Sequence, residues 1–302
     1  MKSNSILFVG CGDLGCRSGE LLLDDGWQVA GLRRDIARLP EGVVGIAGDY
    51  TRAGELDILA ALQPDFVVAT FNPSDRSVEG YKKGFTRGAT NLLAGLGNHR
   101  PRAILTVSST RVYAERGGGW VDEASALAGD DPRALAMIAA ERLLLESGHR
   151  CSVIRFAGIY GYPGGRLLER IRRGELSPQE PPRYSNRIHR DDCAGLLCHL
   201  LAQVAAGVSL APVYNGVDDC PAAQSEVDSW LAAAMGLPFR APLTAGMPAG
   251  TFQEATSAGH KRCSNRLLHK SGYRLRYPNY RVGYGAVLAA AGAATAAGSG
   301  PG

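Results

Sequence analysis

The sequence predicts an α/β protein built on a doubly wound parallel sheet, with a smaller C-terminal lobe interleaved into it. Three observations predict this. Through the first half, apolar runs of about four to six residues alternate with longer helical patterns, which is how consecutive β-α-β units read. The first apolar run ends in Gly10-Cys11-Gly12-Asp13-Leu14-Gly15 and passes directly into a helical stretch. Beyond Tyr160 the alternation breaks at Gly161-Tyr162-Pro163-Gly164-Gly165 and again at Pro178-Gln179-Glu180-Pro181-Pro182, leaving irregular segments between short helices.

Taken in order, strands are expected at residues 6–9, 28–31, 42–47, 65–69, 103–108 and 151–156, each bounded by turn signals, with a further short one at 213–216. A helix at 16–25 follows the glycines, and an apolar helical pattern at 191–203 returns the chain to the sheet before it leaves again near Asp218. Residues 1–160 with about 188–217 thus form the sheet domain, and 161–187 with 218–288 the substrate lobe. The last stretch, 289–302, is almost entirely Ala and Gly and is expected to be a frayed, flexible tail. No internal repeat of solenoid or propeller length is present.

Composition narrows the function classes. With 302 residues, 33 basic against 29 acidic side chains and a net charge of +4, the chain is long enough to bury a core without staples. It carries no run of five or six Lys or Arg that would mark nucleic-acid binding. The seven cysteines are odd in number and include no C-x-x-C pair, a pattern of reduced thiols. No H-E-x-x-H or Cys/His zinc spacing occurs, so no metal is expected. No segment approaches the ~20 apolar residues of a membrane span. The apolar run at 6–9 is too short for a signal peptide and leads into glycines, so a cytoplasmic location is expected.

The glycine loop carries the first chemistry. Gly10 permits a tight turn, Gly12 lets the backbone approach a pyrophosphate, and Gly15 lets helix and strand pack closely. The diphosphate then lies on the helix N-terminus, at Asp13 and Leu14, where N–H groups point outward. Placed between strand and helix, the pattern predicts the dinucleotide loop of a Rossmann fold rather than a purely structural glycine turn. At the end of the second strand, where a carboxylate would accept from the ribose 2′-hydroxyl of NAD, stand Arg33 and Arg34, whose guanidinium forks match a 2′-phosphate. NADP(H) is therefore favoured over NAD, although Asp35 follows closely. Asp49 either meets the adenine amino group or closes an Asx turn into Thr51. Ala69, ending the fourth strand, is a further cofactor-side candidate.

Four ordered segments carry a resemblance: the glycine loop, Val107-Ser108-Ser109-Thr110-Arg111-Val112-Tyr113, Ile154-Arg155-Phe156-Ala157-Gly158-Ile159-Tyr160-Gly161, and Arg187-Ile188-His189-Arg190-Asp191-Asp192. Together they resemble the extended or atypical short-chain dehydrogenase/reductases of the NAD-dependent epimerase/dehydratase family. That resemblance implies a Tyr-x-x-x-Lys pair on the helix before the sixth strand, the tyrosine exchanging a proton while hydride moves at the nicotinamide. Aligned on Glu141, the two places hold Arg133 and Met137, and no tyrosine lies between Tyr113 and Tyr160. Ser109, with Thr110 beside it, matches the family's hydroxyl donor. The remaining proton-donor candidates are Tyr113, Tyr160, Tyr162 and His189. Tyr160 is preferred because its segment resembles the one beside the nicotinamide, whereas His189 is expected to order the turn that returns the chain to the sheet. Water is a further proton source.

Basic residues gather in the lobe, and Lys261-Arg262-Cys263-Ser264-Asn265 is similar to the ending of atypical members without the dyad. An anionic small-molecule substrate suits that charge, with Arg187 and Lys261 as its best candidate ligands. A homodimer through helices flanking the fourth and fifth strands is what the resemblance implies. The reading is an NADP(H)-dependent oxidoreductase acting on a small, anionic carbonyl or imine compound without the usual pair. A non-catalytic NADP(H)-binding regulator or redox sensor is the alternative, and a nucleotide-sugar epimerase or dehydratase stands third.

Overall fold

Alternating apolar residues build the sheet and decide which face each side chain serves. In the structure, a computed structural model describing residues 3–162, 164–237 and 259–297, β1 (Ser5–Val9) leads through the glycine loop to α1 (Asp13–Asp24). There follow β2 (Gln28–Arg33), β3 (Val44–Ala47), α2 (Ile58–Leu62), β4 (Phe66–Ala69) and α3 (Val78–Tyr81). A π-helical turn, Lys82–Arg87, joins α3 to α4 (Gly88–Leu96), and β5 (Ala103–Ser109), β6 (Trp120–Val121), α5 (Pro132–Leu145) and β7 (Cys151–Phe156) come next. The remaining elements are β8 (Gly158–Tyr160), α6 (Arg166–Arg172), β9 (Tyr184–Ser185), β10 (Arg187–His189), α7 (Arg190–Ala205), β11 (Val213–Gly216), β12 (Ala222–Ala223), α8 (Gln224–Ala234), β13 (Arg262–Cys263), α9 (Arg266–Lys270) and α10 (Tyr280–Ala297).

Seven strands form one parallel sheet in the order β3-β2-β1-β4-β5-β7-β11. The winding reverses between β1 and β4, and at such a switch the carboxyl ends of the strands open a crevice for ligands. Period-two alternation fills both faces. Ile6 and Phe8 face Leu22 of α1 and Leu196, Leu197, Leu200 and Leu201 of α7. Leu7 and Val9 face Leu92 and Leu96 of α4 and Ile138 and Leu144 of α5. β4 is buried throughout, as a central parallel strand must be.

Past β8 the chain enters a smaller aromatic core made by Tyr160, Leu168, Ile171, Val227, Leu231, Tyr280 and Tyr284. It returns beneath the sheet by α7, adds β11 at the sheet's edge, and leaves again for α8. The tail expectation is corrected in part: residues 289–297 continue α10, because alanine is the strongest helix former. Residues 298–302, like 238–258 of the expected lobe, lie outside the described residues. Among the described residues no helix is long and apolar enough to cross a membrane, no cluster of His, Cys, Asp and Glu is placed to hold a metal ion, and the seven cysteines are free thiols.

Candidate functional site

The glycine loop is shaped by two demands that its residues meet separately. Gly10 adopts φ +80°, and the N–H groups of Gly10 and Cys11 both donate to the Leu32 carbonyl at 3.0 Å, locking the loop to the end of β2. The Thr70 hydroxyl donates to the Gly10 carbonyl at 2.7 Å from the neighbouring strand end. A methyl at Gly15 would stand 3.0 Å from the Cys11 sulfur, so that glycine permits close helix–strand packing. Gly12 differs, since a methyl there would meet no protein atom nearer than the Gly10 carbonyl oxygen at 3.7 Å. Its open side forms part of a cleft of about 520 Å³. Gly12 also caps α1 without a side-chain bond, leaving the first-turn N–H groups of Asp13 and Leu14 for a ligand. The Asp13 carboxylate is turned aside, accepting from the Tyr162 hydroxyl at 3.1 Å and pairing with Arg17 at 3.4 Å and Arg190 at 3.5 Å.

At its other end the cleft is bordered by Arg33, Arg34, Arg38 and Lys83 against two carboxylates, Asp35 and Asp49. Arg33 is half-buried and donates to the Cys11 carbonyl at 3.0 Å, which ties its guanidinium to the glycine loop. Asp35 is spent locally: it accepts from the Ala37 N–H at 3.3 Å and pairs with Arg38 at 3.2 Å. Asp49 closes an Asx turn, accepting from the Thr51 N–H at 3.0 Å and its hydroxyl at 2.7 Å. Burial pushes the Asp49 carboxyl up, but the Thr51 bonds together with nearby Arg34 and Lys83 outweigh it and hold it below its ordinary value. Ala69 does not reach the cleft. It is fully buried in the core, and Thr70, one residue on and facing the other way, lines the cleft instead. Lys83, Arg38, Thr70 and Asn72 went unread in the sequence because none belongs to a local motif.

Ser109 ends β5, and its hydroxyl oxygen accepts from the Arg111 N–H at 3.2 Å, which leaves the hydroxyl proton available for another acceptor. Lys261 lies against the same turn, its Nζ donating to the Thr110 carbonyl at 3.3 Å. Burial, with Arg116 and Arg111 nearby, lowers the Lys261 ammonium to about 8. Ser109, Thr110 and Lys261 are therefore brought together. Asn186, the neighbour of Arg187, joins it to the Lys261 segment, its side chain donating to the Lys261 carbonyl at 2.9 Å and accepting from the Cys263 N–H at 2.8 Å.

Tyr160 is not brought to this place. Its ring stacks on Tyr284 at 4.4 Å and meets His189 edge-on, while its hydroxyl faces the Asn279 carbonyl at 3.5 Å inside the lobe core. Burial, and next the Asp218 carboxylate, push its phenol well above the ordinary value, making it a poorer acid. The preference for Tyr160 as proton donor is corrected on that ground. Arg187 is 5% exposed beside it, with Nη2 donating to Ser185; among the described residues its Nη1 and the buried Asp218 Oδ2 find no hydrogen-bond partner. His189 caps α7, its Nδ1 accepting from the Asp191 N–H at 3.2 Å, so it orders the return turn. Of the lobe arginines, Arg166, Arg170 and Arg183 border a separate cleft of about 470 Å³, and Arg170 is already held by Asp228 at 2.6 Å.

A solved structure from Methylobacillus flagellatus, classed among the NAD-dependent epimerase/dehydratases, is similar to 96% of this chain and 99% of its own at 33% identity, with a TM-score of 0.78. This chain belongs to the NAD-dependent epimerase/dehydratase family. A functionally unknown conserved protein from Silicibacter pomeroyi shares the fold at 24% identity, covering 95% of this chain and 99% of that one, with a TM-score of 0.73. So does WbmG of Bordetella bronchiseptica, solved with NAD and UDP, at 15% identity, 95% and 94% coverage and a TM-score of 0.75. No family model and no curated protein matches the chain.

In α5 there is neither tyrosine nor lysine. Met137 is buried in the core behind the sheet, and Arg133 sits in the first turn, where its N–H donates to the Asp131 cap at 3.0 Å. Glu141 anchors a buried network. It accepts from Ser108 and from Arg155, whose Nη2 lies 2.7 Å away. Arg155 also donates to the Tyr113 hydroxyl at 3.1 Å, which in turn donates to Asn215 at 2.6 Å. The network joins β5, α5, β7 and β11 behind the crevice. Tyr113 is fully buried within it, and burial pushes its phenol up to about 12, so it is structural rather than a proton donor.

Proposed function

We propose that this chain is an NADP(H)-dependent oxidoreductase acting on a small, anionic carbonyl or imine compound. One observation carries the cofactor half: the end of β2 presents Arg33 and Arg34 to the cleft, and among the described residues the carboxylates bordering it are Asp35 and Asp49, each of which accepts hydrogen bonds within its own turn. That is the charge a 2′-phosphate needs and a bare ribose hydroxyl does not. The loop fits the group, since the open face of Gly12 and the uncapped start of α1 are where a diphosphate would lie.

NADPH, when bound, supplies hydride. The chain's own residues bind and orient. Gly10 and Gly12 bring backbone to the diphosphate, Arg33 and Arg34 hold the 2′-phosphate, and the Ser109 hydroxyl donates to a substrate oxygen. Lys261 fixes the Ser109–Thr110 turn through the Thr110 carbonyl and places a positive charge behind it, favouring an anionic substrate and the negative charge that develops on its oxygen. With Tyr113 and Tyr160 withdrawn into cores, the final proton comes from water. Lacking a positioned acid of the usual kind costs about 10²–10⁴-fold in rate, a handicap and not a prohibition.

The test is deuteride transfer. Purified protein with 4-deuterated NADPH and a panel of small keto acids and cyclic imines is expected to yield deuterated product, reduced at least ten-fold in Ser109→Ala. The empty α5 favours a second reading, an NADP(H)-binding sensor. NADPH binding without deuteride transfer to any of the panel, but with a change of oligomeric state, would decide for that reading.

A further inference from the structure

The helical segment that runs from α3 through the π turn into α4 is pressed onto the rim of the cofactor cleft. Gly80, Gly84 and Gly88 recur at four-residue spacing on the pressed face. A methyl at Gly84 would stand 2.0 Å from the Asn72 carbonyl oxygen, one at Gly80 2.4 Å from Asp75, and one at Gly88 3.0 Å from the Tyr50 ring. Only bare backbone allows that approach, and the wide π turn, a feature that recurs at functional sites, carries the contact at Gly84. The residue before it, Lys83, is thereby set into the cleft wall, across from the end of β2.

Among the described residues the side chains of Lys83 and Arg34 find neither a hydrogen-bond nor an ion-pair partner, although both border the cleft. Both lie within electrostatic reach of Asp49, whose Oδ1 accepts both Thr51 bonds. Four cations, Arg33, Arg34, Arg38 and Lys83, face two carboxylates there, an excess of 4 − 2 = +2. A phosphate monoester brings about −1.5 to −2 at neutral pH, which balances that excess.

We propose that Lys83 is a cofactor-specificity residue: from the π turn it closes a two-sided clamp with Arg34 on the phosphate at the adenosine 2′-oxygen. The planar guanidinium supplies direction from β2, and the ammonium a point charge from the facing wall. The inference rests on the NADP(H) reading, and the experiment separates the two. NADPH and NADH are titrated calorimetrically into the native chain, Lys83→Met, which keeps an unbranched side chain out to Cε and removes the ammonium, and Lys83→Arg. Lys83→Met is expected to weaken NADPH by about ten-fold or more, the size of one charge-assisted hydrogen bond, and to leave NADH unchanged, with Lys83→Arg recovering most of the loss. Equal losses for both nucleotides would overturn the clamp, because Lys83 would then touch a part they share. No loss with either, in a chain that still prefers NADPH, would overturn the clamp alone. A native chain without preference would overturn the NADP(H) reading and the clamp with it.

Discussion

Replacing Gly12 with alanine separates binding from folding in a way that replacing Gly10 does not. At Gly12 the backbone is extended (φ −90°, ψ −154°) and the added methyl meets nothing nearer than 3.7 Å. Alanine is a poorer helix cap than glycine by up to about 1 kcal/mol. It also narrows the unfolded chain's freedom, a gain of about 0.4–1 kcal/mol, so stability should stay within about 1 kcal/mol of native. The methyl nevertheless occupies the face on which a diphosphate oxygen would rest. Losing one hydrogen bond to that charged group, about 1.5–3 kcal/mol, predicts NADPH binding weakened about 10- to 150-fold. At Gly10 the left-handed φ of +80° costs alanine about 1–2 kcal/mol. Its methyl also stands 3.0 Å from the Tyr50 ring and 3.1 Å from the Thr70 carbonyl oxygen. Gly10→Ala should therefore destabilise by about 2–3 kcal/mol. Guanidinium unfolding and calorimetric titration of NADPH read the two quantities independently. Native affinity in Gly12→Ala, or destabilisation as large as in Gly10→Ala, would refute the assignment of Gly12 to the diphosphate.

Glu141→Gln strips the buried Arg155 of its carboxylate and should cost about 3–5 kcal/mol in chemical denaturation; a loss below 1 kcal/mol would show that the network does not brace β5, α5 and β7. Burial raises the Asp218 carboxyl from 3.8 to about 7, against the opposing pull of Arg187. A folded-state value above the unfolded one means that stability is fully present below pH 4 and is lost as pH rises toward 7. Asp218→Asn should remove that decline, and an unchanged stability–pH slope would contradict it. Tyr160→Phe should leave deuteride transfer at the native rate, since the hydroxyl points into the lobe at Asn279. A loss of ten-fold or more would restore Tyr160 as an acid.

The parallel sheet was legible because its signal is local. Apolar runs bounded by turn residues foretell β7 and β11 residue for residue, while β2 runs two residues further, to Arg33, because Arg33 still pairs with Ala47 of β3. The glycine loop and the arginines at the end of β2 were legible for the same reason: each stands at a fixed place relative to a strand end. Lys83 was not, because its place depends on how closely a helix packs, which is decided by Gly84 against Asn72, twelve residues upstream. Tyr160 shows the limit of proximity along the chain. It lies within a motif segment, yet the alternation of β8 turns it into the lobe and leaves Ile159 on the outer side. Ala69 fails by the same parity, one residue short of Thr70.

Whether the cations at the end of β2 select NADP(H) is decided by paired calorimetric titration of NADPH and NADH into the native chain, Arg33→Ala and Arg34→Ala. The native chain is expected to bind NADPH at least ten-fold more tightly than NADH, with that preference falling in each variant while NADH affinity stays level in Arg34→Ala. Equal affinity for the two nucleotides in the native chain, or a preference for NADPH that survives both substitutions, would contradict it.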